Sequence, residues 1–405
     1  MTTTSSTGAG PVPLRARLGP AFITAALVFG PGSVTTASSM GAKFAYDLIW
    51  VPVIATLLML CFVDLCVRIG LTTDTGPVGT VSAKFGRVVG VLVGLGAFAV
   101  TASFQGGNSI GSGAAMNVLF GGSTAVFAIV FTLIALAFIW LPSFYRHLER
   151  VMVVIILALV VIFLITAVAT RPSLSAMAAG LVPSIPTGSS ALVVGAVATT
   201  FSVVGAFYQI QLVREKGWTT ADYRTARRDA ITGTLILGGL SFAIMVSAAA
   251  VLNPRGVTVT SPADMATILE PTIGRWATIL FALGLWAAAF SSLVGNSTIG
   301  GGMLAGALNR EQGGLASRPV KLCISAVILL GGVVAVIFGK LPVQLIITAQ
   351  AVTIFVVPLI GVLIVWLARS TERGRLRAPA AQFVLGLVGV AFLVLLAINY
   401  LRNLL

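Results

Sequence analysis

Charge is what this sequence has least of. Asp, Glu, Lys and Arg together make up 9% of its 405 residues, where soluble globular domains carry roughly 25%. That scarcity excludes a soluble domain. Cysteine is nearly missing too: Cys61, Cys66 and Cys323 all fall inside apolar runs. With no CxxC and no His/Cys cluster, neither a disulfide framework nor a zinc site is expected. The single histidine, His147, sits in a basic stretch and reads as solvated rather than as a ligand. No Walker-type phosphate loop is present, which argues against an ATP-driven pump. Acidic residues number 11, and none falls at the middle of an apolar run. Asp64 comes closest, with Arg68 one helical turn later. An i,i+4 ion pair near a membrane face is the reading preferred for it.

What is there is apolar length. Hydrophobic residues make up 58% of the chain, and the mean hydropathy is +1.06. Runs of about 20 apolar residues, long enough to cross ~30 Å of hydrocarbon, recur along it. Hydropathy predicts eleven spans, at about 17–41, 46–69, 88–119, 122–141, 150–170, 189–213, 228–252, 272–307, 320–339, 342–368 and 380–401. The expectation is an all-α polytopic membrane protein with one transmembrane domain over 15–405, preceded by a disordered cytoplasmic tail at 1–14. Arg15 and Arg17 precede the first run like a signal peptide, yet no small-residue cleavage site follows, so the run reads as a retained span.

A net charge of +14 would suggest nucleic acid in a soluble chain. Here its placement suggests membrane orientation instead, and no nucleic-acid partner is expected. With the N-terminus inside, 19 of the 25 Lys and Arg residues fall in cytoplasmic loops. Lys43, Arg171, Arg255, Arg275, Lys340 and Arg402 fall outside. The positive-inside rule therefore predicts a cytoplasmic N-terminus and an external C-terminus. Missing disulfides and long loops favour a bacterial plasma membrane.

Two spans are interrupted. Span one carries Gly30-Pro31-Gly32-Ser33 and span six carries Ser202-Val203-Val204-Gly205. Proline lacks the N–H, and glycine costs about 1 kcal/mol in a helix interior. Unpaired backbone at membrane depth is tolerated where it lines a cavity or is buried in protein. A simple kink is the plainer reading of each break. Their positions favour a site, because interrupted helices at matching places in two halves mark the midplane site of inverted-repeat carriers. The halves are about 15–170 and 189–368, with an extra helix at about 380–401. Other polar residues at membrane depth are Gln105, Asn108 and Ser109, then Ser291, Ser292, Asn296 and Ser297, then Thr348 and Gln350. Amides in lipid must bond across helices or face water. Glycines at 106, 107, 111, 300, 301 and 302 read first as close helix packing. Candidate substrate contacts are Gly30, Pro31, Gly32, Ser33, Thr199, Ser202, Gly205, Gln209 and Gln350, with Gln105, Asn108 and Asn296 as polar pathway residues.

An ordered series of motifs carries a family resemblance. It runs through Leu18-Gly19-Pro20, Gly30-Pro31-Gly32-Ser33, Phe44-Ala45-Tyr46-Asp47 and Val67-Arg68-Ile69-Gly70. It continues through Ala115-Met116-Asn117, Tyr145-Arg146-His147-Leu148-Glu149, Gly180-Leu181-Val182-Pro183, Ala289-Phe290-Ser291-Ser292 and Ala349-Gln350 with Val357-Pro358. Over nearly its full length the chain resembles the Nramp family of divalent-metal transporters. It is closest in character to a divergent branch that includes magnesium transporters. The resemblance implies a LeuT-type inverted repeat of five plus five helices with an eleventh added, and no enzymatic activity or cofactor. The family's metal-site Asp, Asn and Met fall here on Gly30, Ser33 and Ser202, and its span-three acids on Gln105 and Asn108. Of the usual site residues Gln350 alone survives in kind. Tentative metal contacts are therefore Ser33, Ser202 and Gln350.

Without thioether or carboxylate, such a site suits a hard, hydrated cation, Mg²⁺ ahead of Mn²⁺ or Fe²⁺. Proton coupling is expected to be weak or nil, because amides do not titrate. Two other readings stay open: a carrier of a small anionic or zwitterionic organic solute, and a receptor or scaffold that does not transport. The expected partners are the transported ion or solute and membrane lipid.

Overall fold

The computed structural model describes residues 29–311, 314–338 and 342–404. The N-terminal tail, Arg15, Arg17, the leading half of the first span and Lys340 lie outside the described residues, as does the side chain of His147. The described residues contain helices and no strand.

The chain enters as α1 (Pro31–Phe44), followed by α2 (Trp50–Gly70), the short α3 (Pro77–Phe85), α4 (Arg87–Phe120), α5 (Thr124–Trp140) and α6 (Pro142–Ala169). The second half contains α7 (Ser190–Thr200), α8 (Val203–Glu215), α9 (Tyr223–Val251), α10 (Ala277–Ala307) and α11 (Arg318–Phe338). It ends with α12 (Pro342–Ala351), α13 (Val357–Arg369) and α14 (Ala380–Leu404). Proline opens α1, α3 and α6, where its missing N–H costs nothing and its fixed φ suits the first turn.

Eight helices among the described residues are long and apolar enough to cross a membrane, and the bent pair α12–α13 makes up to nine. The apolar helix α5 has only 17 residues, and the first span is described only from its break onward. By this measure eight or nine spans are found among the described residues, which neither reach nor exclude the expected eleven. The bend of 49° between α12 and α13 was not foreseen from the sequence. A 3₁₀ turn at Val352–Phe355 precedes it, and Pro358 in the first turn of α13 removes a donor that a continuous helix would need.

In lipid, helix packing has little hydrophobic drive, so close contact and satisfied polar groups matter more. Hydroxyls inside the helices mostly bond back to a carbonyl one turn earlier. Thr36 donates to Gly32 at 2.8 Å, Thr132 to Ala128 at 2.7 Å and Ser247 to Ala243 at 2.8 Å. The most extensive interhelical packing joins α4 to α10, and α4 also packs on α11 and α12. Of the glycines read as packing residues, Gly301 faces the backbone of Ile324 on α11, as expected. Gly107 instead opens into a central cavity.

Asp64 sits in a buried polar knot joining α2, α9 and α14. Arg68 Nε lies 2.9 Å from its carboxylate, confirming the i,i+4 pair. Tyr223 donates its hydroxyl at 2.9 Å and Gln382 its amide at 2.6 Å. Arg227, half exposed, adds a contact at 3.3 Å. Arg68 also donates to Tyr223 and to the Leu376 carbonyl. All three cysteines are free and buried.

Candidate functional site

The first break lies at Gly30, whose backbone is extended (φ −120°, ψ −179°) before Pro31 starts α1. No side chain caps this helix start. The second break falls at Phe201 and Ser202, between α7 and α8. Phe201 is fully buried and meets Phe62 edge-on at 4.8 Å between centroids, which anchors the unwound residue. Ser202 leaves helical geometry (φ −73°, ψ 85°), and its Oγ accepts from Gly205 N at 3.3 Å. The break thus arises one step earlier than the sequence suggested. It is a serine cap that opens α8, and Gly205 lies inside the helix it was expected to interrupt.

A cavity lies between these two breaks. It is lined by Gly30, Gly32 and Ser33 from the first break and Thr199 and Ser202 from the second. From α4 come Phe104, Gly107 and Asn108, from α10 Asn296, and from α12 Ile346, Ala349 and Gln350. Its volume of about 20 Å³ suits one or two waters or an ion. Eight of the twelve sequence-derived candidates line it. Four do not: Pro31, Gln105, Gly205 and Gln209. Pro31 packs against the α4 backbone at Gly111, where a Cβ would come within 2.7 Å of its ring. Gln105 lies behind Asn108, and Gln209 is buried on α8. Phe104, Gly107, Ile346 and Ala349 were missed, because apolar residues carry no chemical signal. Helical spacing could have found them: 104, 107 and 108 share a face, as do 346, 349 and 350.

Every side-chain polar group in the lining is neutral. No Asp, Glu, His or Cys is among the lining residues, and no cluster of three such residues occurs among the described residues. Ser33 Oγ and Gln350 Oε1 are both buried without a hydrogen-bond partner. Thr199 donates its hydroxyl to the Gly195 and Ala196 carbonyls at 3.2 and 3.1 Å, which leaves its oxygen lone pairs free. Gln105 Nε2 donates to the Leu293 carbonyl at 2.6 Å, and Asn108 Nδ2 donates to Gln105 Oε1 at 2.7 Å. Gln350 packs over Gly32 so closely that a Cβ there would lie 1.3 Å from its Nε2. A side chain at that position would therefore push the Gln350 amide aside. Thr35, Ser38 and Ser39 continue the unpartnered hydroxyls along α1, away from the cavity. Buried polar groups without partners are rare enough to suggest that water or a solute meets them.

The arrangement offers two electrostatic poles. The uncapped N-terminus of α1 presents partial positive charge, while the last carbonyls of α7 present partial negative charge at the second break. Broken helices in carriers use unwound carbonyls and half-helix C-termini for cations, and half-helix N-termini for anions.

Comparison with known proteins adds an independent line. The family described as "Natural resistance-associated macrophage protein-like", Nramp, matches residues 21–402. A divalent metal cation transporter MntH of Pectobacterium carotovorum is 27% identical over 321 residues, covering 78% of each chain. A crystal structure of an Eremococcus coleocola manganese transporter superposes with a TM-score of 0.73 at 18% identity, covering 98% of this chain and 90% of that one. Mhp1, a nucleobase-cation-symport-1 family transporter in a closed conformation, matches with a TM-score of 0.56 at 14% identity, over 94% and 91% of the two chains.

Proposed function

The chain belongs to the Nramp family, and from that premise we propose that it is a multi-pass membrane carrier of a divalent metal cation, bound between the two helix breaks. The observation that carries the reading is the neutral, oxygen-rich lining, with Ser33 Oγ and Gln350 Oε1 buried and unpartnered. Hydroxyl, amide and backbone oxygens replace part of a hard ion's water without supplying a fixed counter-charge. A relative's name points to manganese and others to divalent metal cations, and oxygen donors suit Mn²⁺ as well as Mg²⁺. The absence of thioether and imidazole from the lining removes the ligands that select softer transition ions, which favours Mg²⁺.

One observation favours a second reading. The free N-terminus of α1 would attract an anionic or zwitterionic solute. Against it stand the cavity volume of about 20 Å³ and the lack of any Lys or Arg in the lining.

Weak proton coupling is part of the same proposal, because no lining group gains or loses a proton near neutral pH. So is the orientation, with the basic loops cytoplasmic and the protein in a bacterial plasma membrane.

The deciding experiment is calorimetry and proteoliposome flux on the purified protein with Mg²⁺, Mn²⁺, Cd²⁺ and a panel of small carboxylic acids. The expected result is Mg²⁺ binding that weakens in Ser33→Ala and Gln350→Leu, with little Cd²⁺ binding. Micromolar Mn²⁺ or Cd²⁺ affinity would sink the magnesium preference. Binding of carboxylic acids alone would sink the cation reading.

A further inference from the structure

We propose that Gln105 is a positioning residue that holds the Asn108 amide with its oxygen turned to the cavity, so that the pocket presents an acceptor where it could equally have presented a donor. The inference rests on the cation reading above. Its logic starts at the Leu293 carbonyl, a group that can only accept. The Gln105 amide atom 2.6 Å from it must therefore be the NH₂. The other Gln105 atom is then an oxygen, and the Asn108 atom 2.7 Å away must be a donor. That leaves Asn108 Oδ1 as the free end. It points at the first helix break, where a Cβ on Gly30 would lie 3.0 Å from it.

Reversing either amide alone would set donor against donor or acceptor against acceptor in a buried place. Gln105 is fully buried and Asn108 is 4% exposed. A buried polar group left unsatisfied is strongly disfavoured, so the two amides turn together or not at all. They cannot turn together, because Leu293 offers no donor to a reversed Gln105.

At Gly331 the α11 backbone comes so close that a Cβ would lie 2.4 Å from Gln105 Cβ, so α11 packs directly on α4 where Gln105 stands. Residues that orient a metal ligand without touching the metal typically change affinity 10–100-fold when replaced. Gln105 stands in that relation to Asn108.

The test is a double-mutant cycle on purified full-length protein, with Gln105→Leu, Asn108→Ala and the double variant. Calorimetry with Mg²⁺ and Mn²⁺ is the readout, and melting temperature is the folding control. Leu293 lies inside α10, so its carbonyl keeps its helical partner in Gln105→Leu. Each single variant should weaken cation binding about tenfold, and the double variant no more than Asn108→Ala alone. Additive losses would overturn the proposal, since Gln105 would then act independently of Asn108. Unchanged affinity in Gln105→Leu would overturn it while leaving the cation reading intact. Failure of the wild-type protein to bind either ion would overturn both.

A second variant covers poor folding of the first. Gln105→Glu keeps the shape and still accepts from Asn108 Nδ2, so it should hold its affinity at low pH. Weaker binding than wild type at every pH would refute the orientation argument.

Discussion

Replacing Asp64 by Asn isolates a charge without changing a shape. Asp64 is 3% exposed and the Arg68 side chain 12%, so neither is hydrated enough to stand alone. In the variant, Arg68 loses its counter-charge and keeps the Tyr223 hydroxyl and the Leu376 carbonyl. The new amide turns its donor either toward Arg68 and Gln382, which share Oδ2, or toward Tyr223 and Arg227 on Oδ1. Breaking a buried ion pair from one side costs about 3–5 kcal/mol. The half-exposed Arg227 contributes at most about 1 kcal/mol through solvent. Asp64→Asn should therefore destabilise by about 3 kcal/mol, and Arg227→Ala by under about 1 kcal/mol. Thermal unfolding in detergent, followed by tryptophan fluorescence, should lower the midpoint by roughly 3–6 °C in the first, at about 1–2 °C per kcal/mol for a chain this long. Replacing the pair together, as Asp64→Leu with Arg68→Met, should recover part of that loss, because apolar substitutes for a buried pair are often neutral. An Asp64→Asn protein that melts like wild type but loses substrate-driven acidification in dye-loaded proteoliposomes would refute this reasoning. The carboxylate would then be a proton relay.

Three further outcomes follow from the site and the loops. Gly32→Ala puts a Cβ 1.3 Å from Gln350 Nε2, so the amide must swing out of the cavity. Calorimetry should show Mg²⁺ binding weakened at least about tenfold, and unchanged affinity would remove Gln350 from the site. Cysteines introduced at the exposed Ser184 and Thr258 should label with an impermeant reagent in whole cells, whereas one at Ser317 should not; the reverse pattern would invert the orientation. Transport in proteoliposomes should respond little to an imposed pH gradient, and steep dependence on it would show that a titrating group lies on the pathway.

Much of the site could be read from sequence because its residues break local rules. Gly30-Pro31 cannot continue a helix, and Asn108, Asn296 and Gln350 are amides at membrane depth. Such departures are visible without coordinates, and all of these except Pro31 line the cavity. Residues that obey local rules stayed hidden. Phe104, Ile346 and Ala349 look like ordinary membrane core, and only their helical register brings them to the cavity. Gly205 misled because glycine suggests a break, while the break came from a serine capping the next helix. The bend after Ala351 escaped notice because its signal, Pro358, falls several residues beyond it. Gln209 is polar and buried like its neighbours, but nothing in the sequence says which face of α8 it occupies.

The shortness of α5 reaches beyond the protein itself. At 17 residues and a rise of 1.5 Å per residue, it is about 26 Å long, a few ångströms less than ~30 Å of hydrocarbon. It cannot borrow length from its neighbour, because Leu141 alone separates it from α6. Its outer surface is apolar, with Val126, Ile129, Val130 and Leu133 exposed. A bilayer crossed by α5 would meet it by thinning locally or by flanking residues reaching to the interface, at fractions of a kcal/mol per ångström of mismatch. Bilayer thickness thereby becomes a variable that acts on this carrier. α5 packs on α4, which carries Asn108, so a tilt of α5 that follows bilayer thickness would be felt by the helix that borders the cavity.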